Sequence, residues 1–181
     1  WKRHDLFLVM AGLIAQTHPG VHFAIAGGDL LGEHARYRTS LHAQAARLGL
    51  EEKLHWLEQG GDVRDVLQAT DLLVHPTAEE PFGRVLCEAM AMGKPIIAVR
   101  SNGPASIVEH DATGLLVGGT DPGQLAAAAR RLLENPRQAA AFGAAGRQRV
   151  EALFSIQRTA RDMGKVYQAA IDDCRKAPAA P

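Results

Sequence analysis

The run His75-Pro76-Thr77-Ala78-Glu79-Glu80-Pro81-Phe82-Gly83-Arg84-Val85-Leu86-Cys87-Glu88 gathers residue types that could hold a phosphate and a sugar side by side. The apolar residues Leu72 to Val74 stop at Pro76, a polar loop follows, and Val85, Leu86, Ala89 and Met90 then recur at helical spacing. That order predicts strand, loop and helix start. The first turn of a helix has N–H groups without partners and carries partial positive charge, so the junction is an anion site. Gly83 lacks a Cβ and lets a ligand approach the backbone. The amides of Phe82, Gly83, Val85 and Leu86 are the expected donors, aligned toward charge that develops on a diphosphate. Glu80 precedes the junction and Glu88 sits just over one turn inside the helix. Carboxylates accept hydrogen bonds from sugar hydroxyls and repel phosphate. Phosphate-binding amides between two hydroxyl-binding carboxylates suit a nucleotide-diphosphate sugar. Glu79 has the same chemistry in the wrong register and reads as a solvated loop charge.

The elements that must position this junction alternate. Helical spacing runs over Leu6 to Ala15, Arg36 to Leu48, Asp65 to Ala69 (with Asp62 as N-cap) and Pro104 to Glu109, where Pro104 suits the first helical position. Short apolar runs at Val21 to Ala26, Leu54 to Leu57, Leu72 to His75, Ile96 to Val99 and Leu115 to Val117 predict buried strands. Three helices should close the chain, Asp121 to Glu134, Pro136 to Ala152 and Ser155 to Cys174, with residues 175–181 a frayed tail. Strands alternating with helices predict an α/β fold, a Rossmann-like doubly wound parallel sheet with helices on both faces. Ligands of such sheets bind at the carboxyl ends of the strands. Gly27 and Gly28 lie at one such end, where they either admit phosphate or base or form a plain turn. His75 ends the central strand and reads as structural. Trp1 and Trp56 are expected to pack.

Composition bounds the function. The 181 residues suffice for one domain, and 46% apolar with 22% charged residues is ordinary for a globule. The formal net charge is zero, which argues against a general nucleic-acid surface. No apolar run approaches the ~18 residues that a membrane span requires. Cys87 and Cys174 lie far apart and have no metal spacing; a reducing cytoplasm is the expected compartment.

Glu80-Pro81-Phe82-Gly83 followed by Glu88 resembles the E-x7-E signature of the retaining glycosyltransferases of family 4, the group similar to glycogen synthase. Ala89-Met90-Ala91-Met92-Gly93-Lys94-Pro95-Ile96-Ile97-Ala98 is similar to the helix and strand that follow in that family, and Thr113-Gly114-Leu115-Leu116-Val117 to a later turn and strand. Two glutamates eight apart are weak evidence alone; the loop, the second Glu and the Gly-Lys-Pro strand entry in register are strong. The resemblance spans about residues 2 to 174 and is diffuse outside 71 to 117. It implies one half of a GT-B architecture, the donor-binding, carboxy-terminal half. Glu88 would accept from the ribose hydroxyls. Glu80 would lie beside the donor sugar, bonding its hydroxyls or stabilising positive charge at the anomeric carbon. Lys2-Arg3-His4-Asp5 resembles a Lys-Gly-His-Asp run, with Arg3 in place of the Gly, and makes Lys2 the phosphate-binding cation; on its residue type alone Lys2 is a terminal charge. The loop from Leu57 to Gly61 resembles a base-contacting loop.

The sequence also departs from the family. Arg84 stands where an apolar residue is usual, Asn102-Gly103 matches a Gly-Gly only in part, and Ser106 replaces a common Glu. The family's first strand and its Arg would lie upstream of Trp1, and its amino-terminal acceptor domain is absent from this stretch. No Asp-x-Asp motif adjoins a strand end, so no metal and no cofactor are expected beyond the nucleotide-diphosphate sugar donor. The expected partners are that donor, an acceptor hydroxyl of unspecified identity and the amino-terminal domain, which is also the route open to peripheral membrane association. The resulting expectation is the donor half of a hexosyltransferase, inactive alone. Two alternatives stand beside it: a sugar-nucleotide epimerase of the same fold, and a non-catalytic sugar-nucleotide-binding module.

Overall fold

Strands and helices alternate along the chain in the computed structural model, which describes residues 1–28, 34–57 and 61–176. Helix α1 (His4–Ala15) leads to β1 (Phe23–Ala26), α2 (Ala35–Arg47), β2 (Leu54–Leu57), α3 (Val63–Ala69) and β3 (Leu73–His75). The order continues through α4 (Arg84–Ala91), β4 (Ile96–Val99), α5 (Asn102–Ile107) and β5 (Gly114–Val117). Helices α6 (Pro122–Leu133), α7 (Pro136–Leu153) and α8 (Ile156–Lys176) follow. Residues 177–181, most of the expected frayed tail, lie outside the described residues.

All strand pairs are parallel. β1 pairs with β2, Phe23 opposite Leu54; β3 pairs with β4, Leu73 opposite Ile96; β4 pairs with β5, Ile96 opposite Gly114. Connections through helices enforce this direction, because parallel neighbours need a long crossover. The strands form two sets, β1-β2 and β3-β4-β5, where one continuous sheet is expected. Among the described residues no strand joins the sets.

β4 shows why both faces of the sheet must be covered. Its Ile97 and Val99 enter a core that also contains Leu8, Met10 and Ile14 of α1, Phe23 and Ile25 of β1, and Leu125 and Leu132 of α6. Its Ile96 and Ala98 point the other way, against Leu86, Ala89 and Met90 of α4, Ile107 of α5 and Val150 of α7. All four β4 side chains are buried, the period-two pattern of a strand between two helical layers. α8 presents Ile156, Met163, Val166, Tyr167 and Ile171 to solvent. No described helix is long and apolar enough to cross a membrane.

Three local expectations are corrected. α5 starts at Asn102, so Pro104 is its third residue; Pro is tolerated there because first-turn amides have no helical acceptor in any case. β1 starts at Phe23, since the Val21 amide turns back to the His18 carbonyl at 3.1 Å. Trp1 does not pack but is 72% exposed, its ring centroid 4.0 Å from Lys2 Nζ. Trp56 is half-buried against the His42 ring, and Asp62 caps α3 by accepting from the Arg64 amide at 2.9 Å.

Candidate functional site

The junction between β3 and α4 is set by a glycine whose backbone no other residue would adopt readily. Gly83 is the N-cap of α4 with φ of 97°. A Cβ there would lie 2.9 Å from Leu86 Cδ1 and 3.3 Å from Glu80 Cγ. The left-handed turn starts the helix and presses the loop onto it. α4 buries Leu86, Ala89 and Met90 at i, i+3 and i+4 spacing, which rotates Glu88 to the exposed face.

The other end of the loop is held from α5. The Gly103 amide donates to the Glu80 carbonyl at 3.2 Å. A Cβ on Gly103 would fall 2.5 Å from that oxygen and 2.6 Å from the Phe82 carbonyl oxygen. The partial match of Asn102-Gly103 to a Gly-Gly pair therefore keeps the one glycine that the close approach demands.

Glu80 is buried, unlike the exposed Glu79 beside it. Its Oε2 accepts from Lys2 Nζ at 3.1 Å and lies 3.3 Å from His75 Nε2, while Oε1 accepts from the Phe82 amide at 3.4 Å. Burial pushes the Glu80 carboxyl upward, but Lys2, the Phe82 amide and His75 outweigh it and hold the group below its ordinary range. Burial also lowers His75, favouring the neutral ring. His75 entered the site without a sequence signal beyond its place at a strand end. Among the described residues its nitrogens have no well-aligned hydrogen-bond partner, the 3.3 Å approach to Glu80 being close but poorly aligned.

Lys2, Glu80, Phe82, Gly83, Val85 and Glu88 line one cleft of about 310 Å³, with Arg84 at its exposed edge. A second hollow of about 320 Å³ adjoins it, sharing Phe82, Arg84 and Glu88 and reaching Phe154 and Thr159. The Glu88 carboxylate accepts no hydrogen bond among the described residues. The expected amide donors divide. Those of Gly83 and Val85 have no protein acceptor among the described residues, whereas the Phe82 amide is on Glu80 and the Leu86 amide is on the Gly83 carbonyl at 2.9 Å. Leu86 itself is fully buried and outside the cleft lining, because its side chain belongs to the core under α4.

Gly27, with φ of 131°, and Gly28 follow β1 and are exposed, but neither lines the cleft. The Gly27 amide is taken by the Leu57 carbonyl at 3.0 Å, which extends the parallel β1–β2 ladder by one bond. Residues 58–60 of the Leu57–Gly61 loop lie outside the described residues. Among the described residues no three His, Cys, Asp or Glu side chains group as metal ligands.

An α/β domain of parallel strands with an anion-ready helix start between two carboxylates is the class that fold and cleft define. The chain belongs to the family described as "Glycosyl transferases group 1", which matches residues 1–149. D-inositol 3-phosphate glycosyltransferase 2 of Catenulispora acidiphila is 36% identical over 154 residues, covering 84% of this chain and 36% of that protein. The crystal structure of Anabaena HepE in complex with UDP and glucose superposes with a TM-score of 0.86 at 28% identity, over 93% of this chain and 45% of HepE. Sucrose-phosphate synthase from Thermosynechococcus elongatus gives a TM-score of 0.84 at 31% identity, over 96% of this chain and 44% of that one. These neighbours are GT-B glycosyltransferases, and the fold is theirs. The chain spans less than half the length of each of these proteins.

Proposed function

We propose that this chain is the donor-binding, carboxy-terminal half of a retaining, family 4 glycosyltransferase that moves a hexose from a nucleotide-diphosphate sugar to an acceptor hydroxyl. The observation that carries the reading is the single cleft in which Glu80 and Glu88 flank Gly83 and the unpaired amides of Gly83 and Val85. In this reading the amides and Lys2 take the diphosphate, Glu88 takes the ribose hydroxyls, and Glu80 faces the sugar. The UDP in the HepE complex supports a nucleoside diphosphate as the common ligand. The reaction makes its largest electrostatic demand at the leaving diphosphate, and preorganised amides with one ammonium meet that demand without a metal or cofactor.

The acceptor half, in the cytoplasm with this one, would be supplied by sequence outside this stretch. A further strand between the two parallel sets would restore one sheet, in keeping with a first strand upstream of Trp1. The isolated chain is then expected to bind donor product and not to turn over. Calorimetric titration with UDP, ADP and GDP tests this. One of them should bind, and Glu88→Ala should weaken it; no heat from any of the three refutes the reading.

A further inference from the structure

Lys2 and His75 approach the same oxygen of Glu80, from opposite sides of the chemistry. Lys2 Nζ is 3.1 Å from Oε2 and its side chain is half-exposed. His75 Nε2 is 3.3 Å from Oε2, its ring is buried, and neither nitrogen makes a well-aligned hydrogen bond among the described residues. A buried imidazole with both nitrogens unsatisfied is costly, and most such groups in folded proteins find a partner. His75 cannot easily move, since its backbone is fixed in β3 opposite Ala98. The carboxylate and the ammonium are the groups that can adjust.

We propose that His75 is the alternate holder of Glu80: when a nucleoside diphosphate draws Lys2 off Oε2, the His75 Nε2–H turns fully onto the oxygen that Lys2 leaves. This rests on the donor-site reading above, which sends Lys2 to the phosphate. Without a replacement donor the exchange would leave the buried Glu80 carboxylate with the Phe82 amide as its one hydrogen-bond donor among the described residues, and an undersupplied buried charge is costly. A neutral imidazole supplies the missing hydrogen bond and brings no second charge to desolvate. Glu80 thus stays ionised and aimed into the cleft in both states. His75 is a positioning residue: it acts on substrate only through Glu80.

The electrostatics run the same way. Lys2 and Glu80 are the charged groups that act on His75, Lys2 opposing its protonation and Glu80 favouring it. Moving Lys2 away and bringing in a diphosphate both favour a proton on the ring. His75 should therefore titrate higher in the complex than alone.

The test is imidazole NMR on the ¹⁵N-labelled chain, with and without UDP, the His75 signals being identified by their loss in His75→Gln. Saturating UDP should move the His75 Nε2–H downfield and raise its titration midpoint by on the order of one pH unit, as expected when a charge within hydrogen-bonding range changes. Lys2→Ala, without ligand, should reproduce much of the downfield shift, since it empties the same acceptor position. Glu80→Ala, which removes the acceptor, should abolish the response to UDP. If UDP binds, by calorimetry, and the His75 signals stay put, this inference fails and the donor site stands. If none of UDP, ADP and GDP binds, both fail together.

Discussion

The two carboxylates of the cleft occupy opposite surroundings. Glu80 is buried, with an ammonium, an imidazole and an amide around it, and its backbone is clamped by α5. Glu88 is exposed on the outer face of α4, and among the described residues no side chain holds its carboxylate. One group is part of the fold and the other only rides on it. A donor that reaches both would therefore meet one prearranged contact and one that must order on binding. The ordering of a long side chain costs roughly 0.5–1.5 kcal/mol, so the two sides should differ in stability and in affinity when changed.

Gly103→Ala should break the Glu80 side hardest. All three atoms that the new Cβ would meet within 2.7 Å belong to the backbone of Glu80 and Phe82, so no side chain can rotate away. Overpacking of this kind costs about 1–3 kcal/mol. Denaturant unfolding should show that loss, and affinity for whichever nucleoside diphosphate binds should fall because the loop bearing Glu80 is displaced.

Substituting the carboxylates themselves separates the two sides. Glu88→Ala should leave stability within about 0.5 kcal/mol, as for an exposed site. The same change should cost whichever of UDP, ADP and GDP binds about 10-fold or more in affinity, since hydrogen bonds to a charged group are worth roughly 1.5–3 kcal/mol. Glu80→Ala should do the reverse for UDP lacking a sugar. It strands the Phe82 amide and takes the carboxylate from Lys2, costing about 1–2 kcal/mol of stability, with less change in nucleotide affinity than Glu88→Ala. A Glu88→Ala protein that binds UDP normally would erase the contrast.

The pH dependence of stability should come from the Glu80 side too. The folded value of Glu80 lies below the ordinary 4.5, so its stabilisation is present above that value and is lost as pH falls through the folded one. His75 is lowered from 6.5 by burial. Below 6.5 the unfolded chain takes a proton that the folded ring resists, so stability falls again toward acid. Both contributions have one sign. Unfolding midpoints measured across that range should rise with pH, and His75→Gln should make the part just below 6.5 shallower, leaving the share of His4, which burial also lowers. A midpoint that rises toward acid would contradict both directions.

Much of the Glu88 side was legible in the sequence, because it is local. The apolar spacing of Leu86, Ala89 and Met90 fixes the helix and so the outward face of Glu88, and Gly83 marks where it starts. The strands and their parallel direction followed from the alternation of elements. The Glu80 surroundings were less legible. Lys2 lies 78 positions from Glu80, and only the resemblance, not any spacing, brought it to the site. His75 was read as structural because a lone His at a strand end carries no directional information. The grip of Gly103 on the loop arises from two backbones meeting, which leaves no pattern in either segment. The break between β1-β2 and β3-β4-β5 was hidden for a similar reason, since apolar runs identify strands but not their neighbours.

The smallest effect concerns the turn that delivers Lys2. Arg3 has φ of 58° and ψ of 43°, the left-handed region, at the position where the resemblance expects glycine. Its guanidinium forks onto Asp5, with Nε and Nη2 each 3.1 Å from a carboxylate oxygen. That fork is half-exposed and, like most surface pairs, is worth about 0.2–1 kcal/mol. The left-handed backbone costs a residue with a side chain roughly 1–2 kcal/mol, which glycine avoids while losing part of the gain to the entropy of its unfolded chain. Arg3→Ala removes the fork and keeps the strain; Arg3→Gly removes both. Arg3→Gly should therefore be more stable than Arg3→Ala by about 0.5–1 kcal/mol, read from denaturant midpoints. UDP affinity should separate the variants in the same order, since a turn that drifts carries Lys2 away from Glu80 and the cleft. If Arg3→Ala proves the more stable of the two, the left-handed turn does not hold the amino end, and Lys2 is placed on Glu80 by something other than the chain's own strain.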